Sequence, residues 1–473
     1  MLIGRNEEIE VLNTALGDER SHFIAVYGRR RIGKTYLIRE TFGGRFTFQH
    51  AGIYAGSLRE QLDGFTSAIE LEGITYKKTP ANWIQAFDGL KRLINQSTEE
   101  RKVIFLDELS WMDTPKSGFI AALENFWNGY ASARKDVLLI VCASATSWML
   151  SEIVHNKGGL YHRLTEQIHL KPLSLGECET FVKSKGLVLN KDQIMQYYMI
   201  FGGIPYYWEL LKKGYSLDQN IDRIIFAEDA PLKDEFKYLF ASIFKNPEIY
   251  TRIIKVLCTV KAGMTREDII HAAGVSNSGD LTRRLEELES CGFIRSYTSF
   301  VNKKKNKVYQ LVDAFTLFYY SFLADEPTDE HFWSNQVNTP RINAWKGLAF
   351  ERVCLMHIRE IKTKLGIAGV FSEEHSWYCR PEAEKGILGS QIDLLIVRAD
   401  HVINLCEMKY AGTEYTITEK EYMDIRRKIH DLVTKTGTRD AIFPTLITTY
   451  GLVENEYANS IQSVITLNDL FAH

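Results

Sequence analysis

One eight-residue segment limits the fold of this chain more than any other feature. It fills the pattern G-x-x-x-x-G-K-[ST] with, in order, Gly28, Arg29, Arg30, Arg31, Ile32, Gly33, Lys34 and Thr35. An apolar run over residues 23–27 precedes it and a helical pattern follows, which is the context this loop requires. Loop amides and the helix N-terminus hold phosphates, the lysine reaches the β- and γ-phosphates, and the threonine hydroxyl meets Mg²⁺. All eight residues are therefore expected to bind a nucleotide, with Lys34 also catalytic.

Two further apolar runs complete this reading of the first part of the chain. The second apolar run covers residues 103–106 and is followed directly by Asp107 and Glu108. The third covers residues 137–141. Continuous runs rich in β-branched residues predict strands buried on both faces, as in a parallel sheet between helices. We expect Asp107, with Thr35, to hold Mg²⁺ and Glu108 to orient the attacking water.

Length and composition set wider limits. The chain has 473 residues, about three domains' worth, and 57 basic against 60 acidic residues leave a net charge of −3. No apolar stretch approaches the roughly 18 residues of a membrane span, and the N-terminus lacks a signal-peptide layout. Seven scattered cysteines without a C-x-x-C pair indicate a reduced compartment. We expect a cytoplasmic protein with no membrane association.

The middle of the chain, residues 241–324, predicts a winged helix-turn-helix of three helices, a strand, a loop and a strand. The loop over residues 301–307 holds four lysines and no acid, which would suit DNA phosphates. The third helix instead sets Arg283 and Arg284 against three glutamates, which would repel a phosphate backbone. Nucleic-acid contact and intramolecular regulation both stay open. Residues 325–341, polar and with two prolines, predict a linker.

Four residues of the C-terminal segment, 342–473, form a candidate metal site. Asp393 lies in one predicted strand and Glu407 ends the next, so their carboxylates could hold a divalent metal. Lys409, two residues on, would face the same side and orient or help deprotonate water. Glu351 lies on an apolar helix stripe, which is costly unless it is paired or metal-bound. Alternatively, all four are structural ion-pair residues.

The N-terminal motifs resemble those of the archaeal-type AAA+/STAND P-loop ATPases. The resemblance rests on residues 3–8, 28–35 and 107–111, and it implies an ATPase core over 1–172 and a helical lid over 173–240, with ATP and Mg²⁺ as cofactors. It further implies that Ser144 senses the γ-phosphate and that Pro205 belongs to the turn closing the lid over the nucleotide. Arg163 resembles an arginine finger, which in trans would require a homo-oligomer.

The C-terminal pattern resembles the PD-(D/E)XK nuclease fold. An acid, a hairpin-length gap and Glu407-Met408-Lys409 carry this resemblance. It implies an α/β restriction-endonuclease-like domain over 342–473, in which Glu351 on the first helix joins the metal site. Gln391 departs from the pattern, since related sequences often have an acid there.

These readings combine into two hypotheses. In the first, a Mg²⁺-ATP-driven switch controls a metal-dependent endonuclease that acts on DNA. Lys34, Thr35, Asp107 and Glu108 would hydrolyse ATP, and the four C-terminal residues would hydrolyse phosphodiesters. In the second, the protein is a nucleotide-switched regulatory or scaffold ATPase whose C-terminal domain binds a partner and cuts nothing.

Overall fold

The computed structural model describes residues 2–244, 246–298, 300, 307–379, 381–382 and 387–472. The chain divides into two compact units. The first comprises Met1–Pro172 with Ser242–Lys245, and the second comprises Leu173–Ala241 with Asn246–His473.

The first unit is built on a five-stranded parallel sheet. Its strands are β1 (His22–Tyr27), β2 (Phe48–Ala51), β3 (Lys102–Asp107), β4 (Val137–Ala143) and β5 (Glu166–His169). Their order is β2-β3-β4-β1-β5, and every neighbouring pair runs parallel. Every residue of β1, β3 and β4 is buried, as the three apolar runs predict. The carboxyl ends of these strands share one edge, where the candidate nucleotide residues follow.

Helices cover both faces of this sheet. They are α1 (Asn6–Gly17), α2 (Lys34–Phe42), α3 (Leu58–Leu71), α4 (Trp83–Gln96), α5 (Leu109–Met112), α6 (Phe119–Gly129) and α7 (Thr146–Trp148), with a 3₁₀ turn at Ala131–Ala133 and a π-helical turn at Met149–Val154. Successive strand residues face opposite sides. Phe23 therefore packs with Trp127 on one face, while Ile24 packs with Leu37 and Ile38 on the other.

The second unit begins with helices, as expected for residues 173–240. They are α8 (Leu175–Ser184), α9 (Lys191–Phe201), α10 (Pro205–Glu209), α11 (Leu217–Ile221) and α12 (Glu235–Ile243), with a π-helical turn at Asp222–Phe226. The break before α10 is a close backbone approach. Gly203 accepts from the Leu173 amide at 2.7 Å, and a Cβ on Gly203 would lie 1.8 Å from the Leu173 carbonyl oxygen. Only glycine fits there.

Three helices and a small antiparallel sheet follow. They are α13 (Pro247–Cys258), β6 (Met264–Thr265), α14 (Arg266–Ala273), α15 (Gly279–Ser290), β7 (Ile294–Thr298) and β8 (Lys307–Leu311), in sheet order β6-β8-β7. The predicted capping box is present, since Thr265 accepts from the Asp268 amide at 3.2 Å. Most of the predicted wing, residues 301–306, lies outside the described residues.

The segment expected to be a linker is partly helical. It contains α17 (Phe332–Gln336) and the start of α18 (Pro340–Met356); α16 (Ala314–Phe318) and a π-helical turn at Tyr319–Leu323 precede it, and α19 (Ile358–Lys364) follows α18. Trp333 in α17 is buried against Phe318 and Trp345, and its amide donates to the Asp222 carboxylate at 2.8 Å. The polar composition of the segment predicted a linker, but the buried ring of Trp333 packs this segment against the rest of the second unit.

A second five-stranded sheet completes the unit. Its strands are β9 (Ser372–Cys379), β10 (Ser390–Arg398), β11 (Val402–Lys409), β12 (Ala441–Thr448) and β13 (Ser463–Ile465), and its helices are α20 (Glu419–Thr436) and α21 (Leu467–Leu470), with a 3₁₀ turn at Ala458–Ser460. The order is β13-β12-β11-β10-β9. β9, β10 and β11 pair antiparallel, while β11, β12 and β13 pair parallel. Leu432 of α20 packs against Leu395 and Leu405.

No helix in the described part of the chain is both long and apolar enough to span a bilayer.

Candidate functional site

The loop between β1 and α2 adopts backbone conformations that glycine permits. Gly28 has φ +147° and Gly33, immediately before α2, has φ +94°. A Cβ on Gly28 would lie 2.4 Å from the carbonyl oxygen of Leu170. The first glycine of the pattern is therefore required by a close backbone approach as well as by its dihedral angle.

Lys34 is the first residue of α2, directly after this loop, and its side chain is buried. Its ammonium donates to the carbonyl oxygens of Gly28 at 2.9 Å and Arg29 at 3.1 Å, and to the Ser144 hydroxyl at 3.0 Å. The lysine is thus held at the carboxyl ends of β1 and β4. An ammonium at this point can meet the terminal phosphates of a bound nucleotide.

Thr35 and Asp107 form a second pair at the same edge of the sheet. The Thr35 hydroxyl donates to Asp107 Oδ2 at 2.7 Å, and the Glu108 amide donates to Asp107 Oδ1 at 2.9 Å. The two residues assigned to Mg²⁺ from the sequence are therefore adjacent. A hydroxyl and a carboxylate are oxygen donors of the kind that Mg²⁺ prefers, so this pair fits the ion.

Glu108 and Ser144 join the ends of β3 and β4. The Ser144 hydroxyl donates to Glu108 Oε1 at 2.5 Å, and the Ser144 amide donates to Glu108 Oε2 at 3.1 Å. Glu108 has φ +45°, which is uncommon for a residue with a side chain. The hydrogen-bond network therefore runs from Lys34 through Ser144 to Glu108. It connects three residues whose roles are predicted from separate parts of the sequence.

The remaining predicted nucleotide residues occupy varied surroundings. Arg29 is buried, Arg30 and Arg31 are half-buried, and Ile32 packs in the core beneath the loop. Arg163 is exposed on the turn before β5. Pro205 begins α10 in the second unit. The roles assigned to these six residues stay predictions.

The C-terminal candidate residues separate into two ion-paired groups. In the first, the Lys261 ammonium donates to Glu351 Oε1 at 2.8 Å and lies 3.3 Å from Asp393 Oδ2. Glu351 Oε2 is buried and has no hydrogen-bond partner among the residues that the structure describes. Gln391, which replaces the more usual acid, donates to Asp393 Oδ1 at 2.8 Å. Two carboxylates from α18 and β10 therefore converge on one cation.

Burial governs the electrostatics of this group. It raises the pKa of Glu351, and the nearby Asp393 charge raises that pKa further, while Lys261 acts in the opposite direction. Burial lowers the pKa of Lys261, but Asp393 and Glu351 outweigh burial, so the pKa of Lys261 is raised overall. The carboxylates thus keep this ammonium charged.

The second group contains Glu407 and lies beside α20. Glu407 forms an ion pair with Lys428, whose ammonium also lies 3.4 Å from Asp424. Lys409 ends β11, near the charge of Glu421. Among the described residues, no three His, Cys, Asp or Glu side chains converge in a way that could hold a metal ion. Ion pairing thus divides the predicted four-residue site.

No local sequence pattern predicts three residues that contact the C-terminal candidate site or its neighbours. Lys261 lies in an ordinary turn, Val260-Lys261-Ala262-Gly263, and Lys428 is one of several charged residues on α20. Asp192 of α9 accepts a 2.7 Å hydrogen bond from Tyr410, immediately after Lys409. All three contacts join residues distant along the chain, which local patterns do not report.

A family model and two archaeal proteins are similar to parts of this chain. A family model described as "ATPase domain predominantly from Archaea" matches residues 2–211. An uncharacterized protein of Methanocaldococcus jannaschii is 26% identical over 435 residues, 90% of this chain and 92% of that protein. An uncharacterized ATP-binding protein of the same archaeon is 42% identical over 40 residues, 8% of this chain and 68% of that protein.

A Walker-type ATPase of Pyrococcus abyssi has a similar fold. Its TM-score is 0.50 at 17% identity, and the alignment covers 67% of this chain and 96% of that one. Identity this low shows the fold alone. The family match over residues 2–211 and this similarity of fold agree that the N-terminal part of the chain resembles an archaeal-type ATPase domain.

Proposed function

We propose that the protein is an ATP-binding and ATP-hydrolysing switch coupled to a metal-dependent nuclease-like domain that acts on DNA. The observation that carries the ATPase part is the hydrogen-bonded network of Lys34, Ser144 and Glu108 beside the pair Thr35 and Asp107. In this arrangement a phosphate cradle, a cation site and a carboxylate lie at one sheet edge, as phosphoryl transfer requires.

Each residue of the network has a distinct part in hydrolysis. Lys34 binds the terminal phosphates and Glu108 orients the attacking water, while Ser144 holds both side chains in register. Thr35 and Asp107 would hold Mg²⁺, which when bound neutralises charge on the phosphates. Because Ser144 contacts Lys34 and Glu108 together, a change at the γ-phosphate reaches the end of β4 directly.

Contacts inside the second unit support coupling between residues 173–240 and the C-terminal sheet. The Leu175 amide donates to the His357 ring at 3.3 Å, and Tyr410 donates to Asp192 at 2.7 Å. One contact meets the end of α18 and the other meets the end of β11, beside Lys409. A movement of residues 173–240 would therefore act on α18, which carries Glu351, and on β11, which carries Glu407 and Lys409.

The convergence of Glu351 and Asp393 on a single cation supports the nuclease-like part. The two carboxylate oxygens that meet Lys261, and Glu351 Oε2, which has no hydrogen-bond partner among the described residues, are hard oxygen donors that suit Mg²⁺ or Mn²⁺. A divalent ion held there would stabilise charge on a scissile phosphate. Glu407 and Lys409 would complete the site after Glu407 leaves Lys428.

The competing function is a nucleotide-switched regulator whose C-terminal domain binds a partner without cleavage. Two observations favour it. Glu407 is already neutralised by Lys428. On α15, Arg283 pairs with Glu287 at 2.7 Å and Arg284 with Asp280 at 2.7 Å, so both arginines already have acidic partners within their own helix.

Cleavage assays on the full chain separate the two functions. Purified protein is incubated with plasmid or linear DNA and Mg²⁺ or Mn²⁺, with and without ATP. Asp393→Asn and Lys409→Ala should abolish cleavage and retain ATP binding, whereas Asp400→Asn, on the exposed β10–β11 turn, should match the wild type. Absence of cleavage of DNA or RNA under every nucleotide and metal condition, in the wild type and in Lys261→Gln, would leave the regulator as the function.

Lys34→Ala should lose nucleotide binding, and unchanged binding would refute the ATPase assignment.

A further inference from the structure

The turn between α13 and β6 carries the cation of the candidate metal site. We propose that Lys261 is a built-in competitor of the divalent ion: its ammonium occupies the place between Glu351 and Asp393, and a metal binds only after the lysine withdraws. The inference rests on the proposed function only in taking these two carboxylates as the cation site.

The geometry is that of one cation shared by two acids. The Lys261 ammonium lies 2.8 Å from Glu351 and 3.3 Å from Asp393, and the two acids come from different elements, α18 and β10. Two carboxylates this close need a positive charge between them. An ammonium and a divalent ion cannot both supply it, because they would repel each other at such short range.

The backbone of the turn is anchored, so the lysine is not placed by chance. The carbonyl oxygen of Lys261 accepts from Arg352 at 2.6 Å and from Gln310 at 2.8 Å. Gly263, two residues on, has φ +81°, and a Cβ there would lie 2.4 Å from the Tyr309 carbonyl oxygen. Main-chain contacts to β8 and α18 thus fix where the side chain begins.

The side chain itself has a route out. Lys261 is 46% exposed, whereas the Glu351 side chain is only 11% exposed. The lysine can therefore swing into solvent while the acid stays in place. The second oxygen of Glu351, which is buried and has no hydrogen-bond partner in the described part of the chain, can then bind an incoming ion.

The consequence is control of metal loading by the segment that precedes β6. While the Lys261 side chain lies between the two acids, its ammonium offsets part of their charge and occupies the place of a metal. Withdrawal of that side chain would leave the two carboxylates without this ion pair and open the place to a divalent ion. Residues 241–324 would then regulate the C-terminal domain intramolecularly.

Titration of Mn²⁺ into nucleotide-free full-length protein, followed by electron paramagnetic resonance, tests this proposal. Lys261→Gln removes the charge and should bind Mn²⁺ at least ~10-fold tighter than the wild type, equivalent to about 1.4 kcal/mol. Lys261→Arg keeps the charge and should show no gain. Lys255→Gln, on the exposed side of α13, is the matched control and should equal the wild type. Lys261→Gln combined with Asp393→Asn should lose the gain.

A measurement on the wild type guards against misfolding of the variants. Acetylation of lysines, read by mass spectrometry, should modify Lys261 faster when Mn²⁺ is present, while Lys255 should react at the same rate. Equal Mn²⁺ affinity of Lys261→Gln and wild type overturns the proposal, as does a gain that survives Asp393→Asn, or Lys261 labelling that Mn²⁺ does not change.

Plasmid cleavage measured on the same samples separates this inference from the proposed function. Tighter Mn²⁺ binding by Lys261→Gln without any cleavage supports the role of Lys261 and contradicts the nuclease function. Cleavage without a gain in Mn²⁺ affinity overturns the role of Lys261 and leaves the nuclease function standing.

Discussion

Ser144, at the end of β4, donates two hydrogen bonds to the carboxylate of Glu108, which follows β3: one from its hydroxyl at 2.5 Å and one from its amide at 3.1 Å. The same hydroxyl accepts from Lys34. A single serine thus links the lysine proposed to bind phosphate to the acid proposed to orient water. We therefore expect the serine, as well as the lysine and the acid, to be required for turnover.

Replacement of Ser144 tests that link. In Ser144→Ala the amide bond to Glu108 remains, but both hydroxyl bonds are lost, so the carboxylate and the ammonium are no longer aligned. We expect ATP binding to change little and ATP hydrolysis to fall on the order of 100-fold. Steady-state phosphate release and nucleotide titration measure the two effects, with the exposed Ser132→Ala as control. Hydrolysis at the wild-type rate would contradict the assigned role.

The close approach at Gly28 predicts a loss of both stability and binding. In Gly28→Ala the new Cβ would meet the Leu170 carbonyl at 2.4 Å, with φ at +147°. The cost should be about 1–3 kcal/mol in the free energy of unfolding, and the displaced loop should bind ATP weakly. Urea denaturation and nucleotide titration report these changes. Gly17→Ala, whose Cβ would meet no described atom within 4 Å apart from its own helix backbone and chain neighbours, should be neutral or slightly stabilising, and an equal loss there would show that the close approach is irrelevant.

The hydrogen bond between Tyr410 and Asp192 predicts a measurable stabilisation of the second unit. Tyr410→Phe removes a 2.7 Å bond to a carboxylate and leaves the ring, which packs near Phe350, in place. We expect a loss of about 1.5–3 kcal/mol in the free energy of unfolding. Denaturant titration measures it, and Tyr378→Phe, an exposed tyrosine of β9, should lose less than about 0.5 kcal/mol. An equal loss in Tyr410→Phe and Tyr378→Phe would contradict a role for the Tyr410–Asp192 hydrogen bond in coupling residues 173–240 to the C-terminal sheet.

A half-buried histidine predicts sensitivity to mild acid. Burial lowers the pKa of His50 from 6.5 to about 4, and its ring packs against Phe65. Between these pH values the unfolded chain binds a proton that the folded chain does not, so stability is full above pH 6.5 and falls as the pH drops towards 4. His50→Leu should flatten this part of the curve. Urea midpoints across the range measure the slope, and the exposed His430→Gln should retain it; a wild-type slope in His50→Leu would sink the prediction.

Much of the first unit could be predicted because its signals are local. The phosphate loop, the strand before it and the acids after β3 are each written in fewer than about ten consecutive residues. The helices over 174–235 and the capping box at Thr265 were predictable for the same reason. The segment 325–341 was misleading, because its polar composition outweighed the one buried residue, Trp333, that anchors it.

The C-terminal candidate site shows where local signals end. The sequence by itself determined which acids could hold a cation, since Glu351, Asp393 and Glu407 stand at the ends or inner faces of regular elements. Only the tertiary structure decided which cation each acid meets: Lys261, from a turn 90 residues before Glu351, and Lys428 from α20. An ion pair depends on distance in space, and neither its partner nor its occupancy is encoded by spacing along the chain.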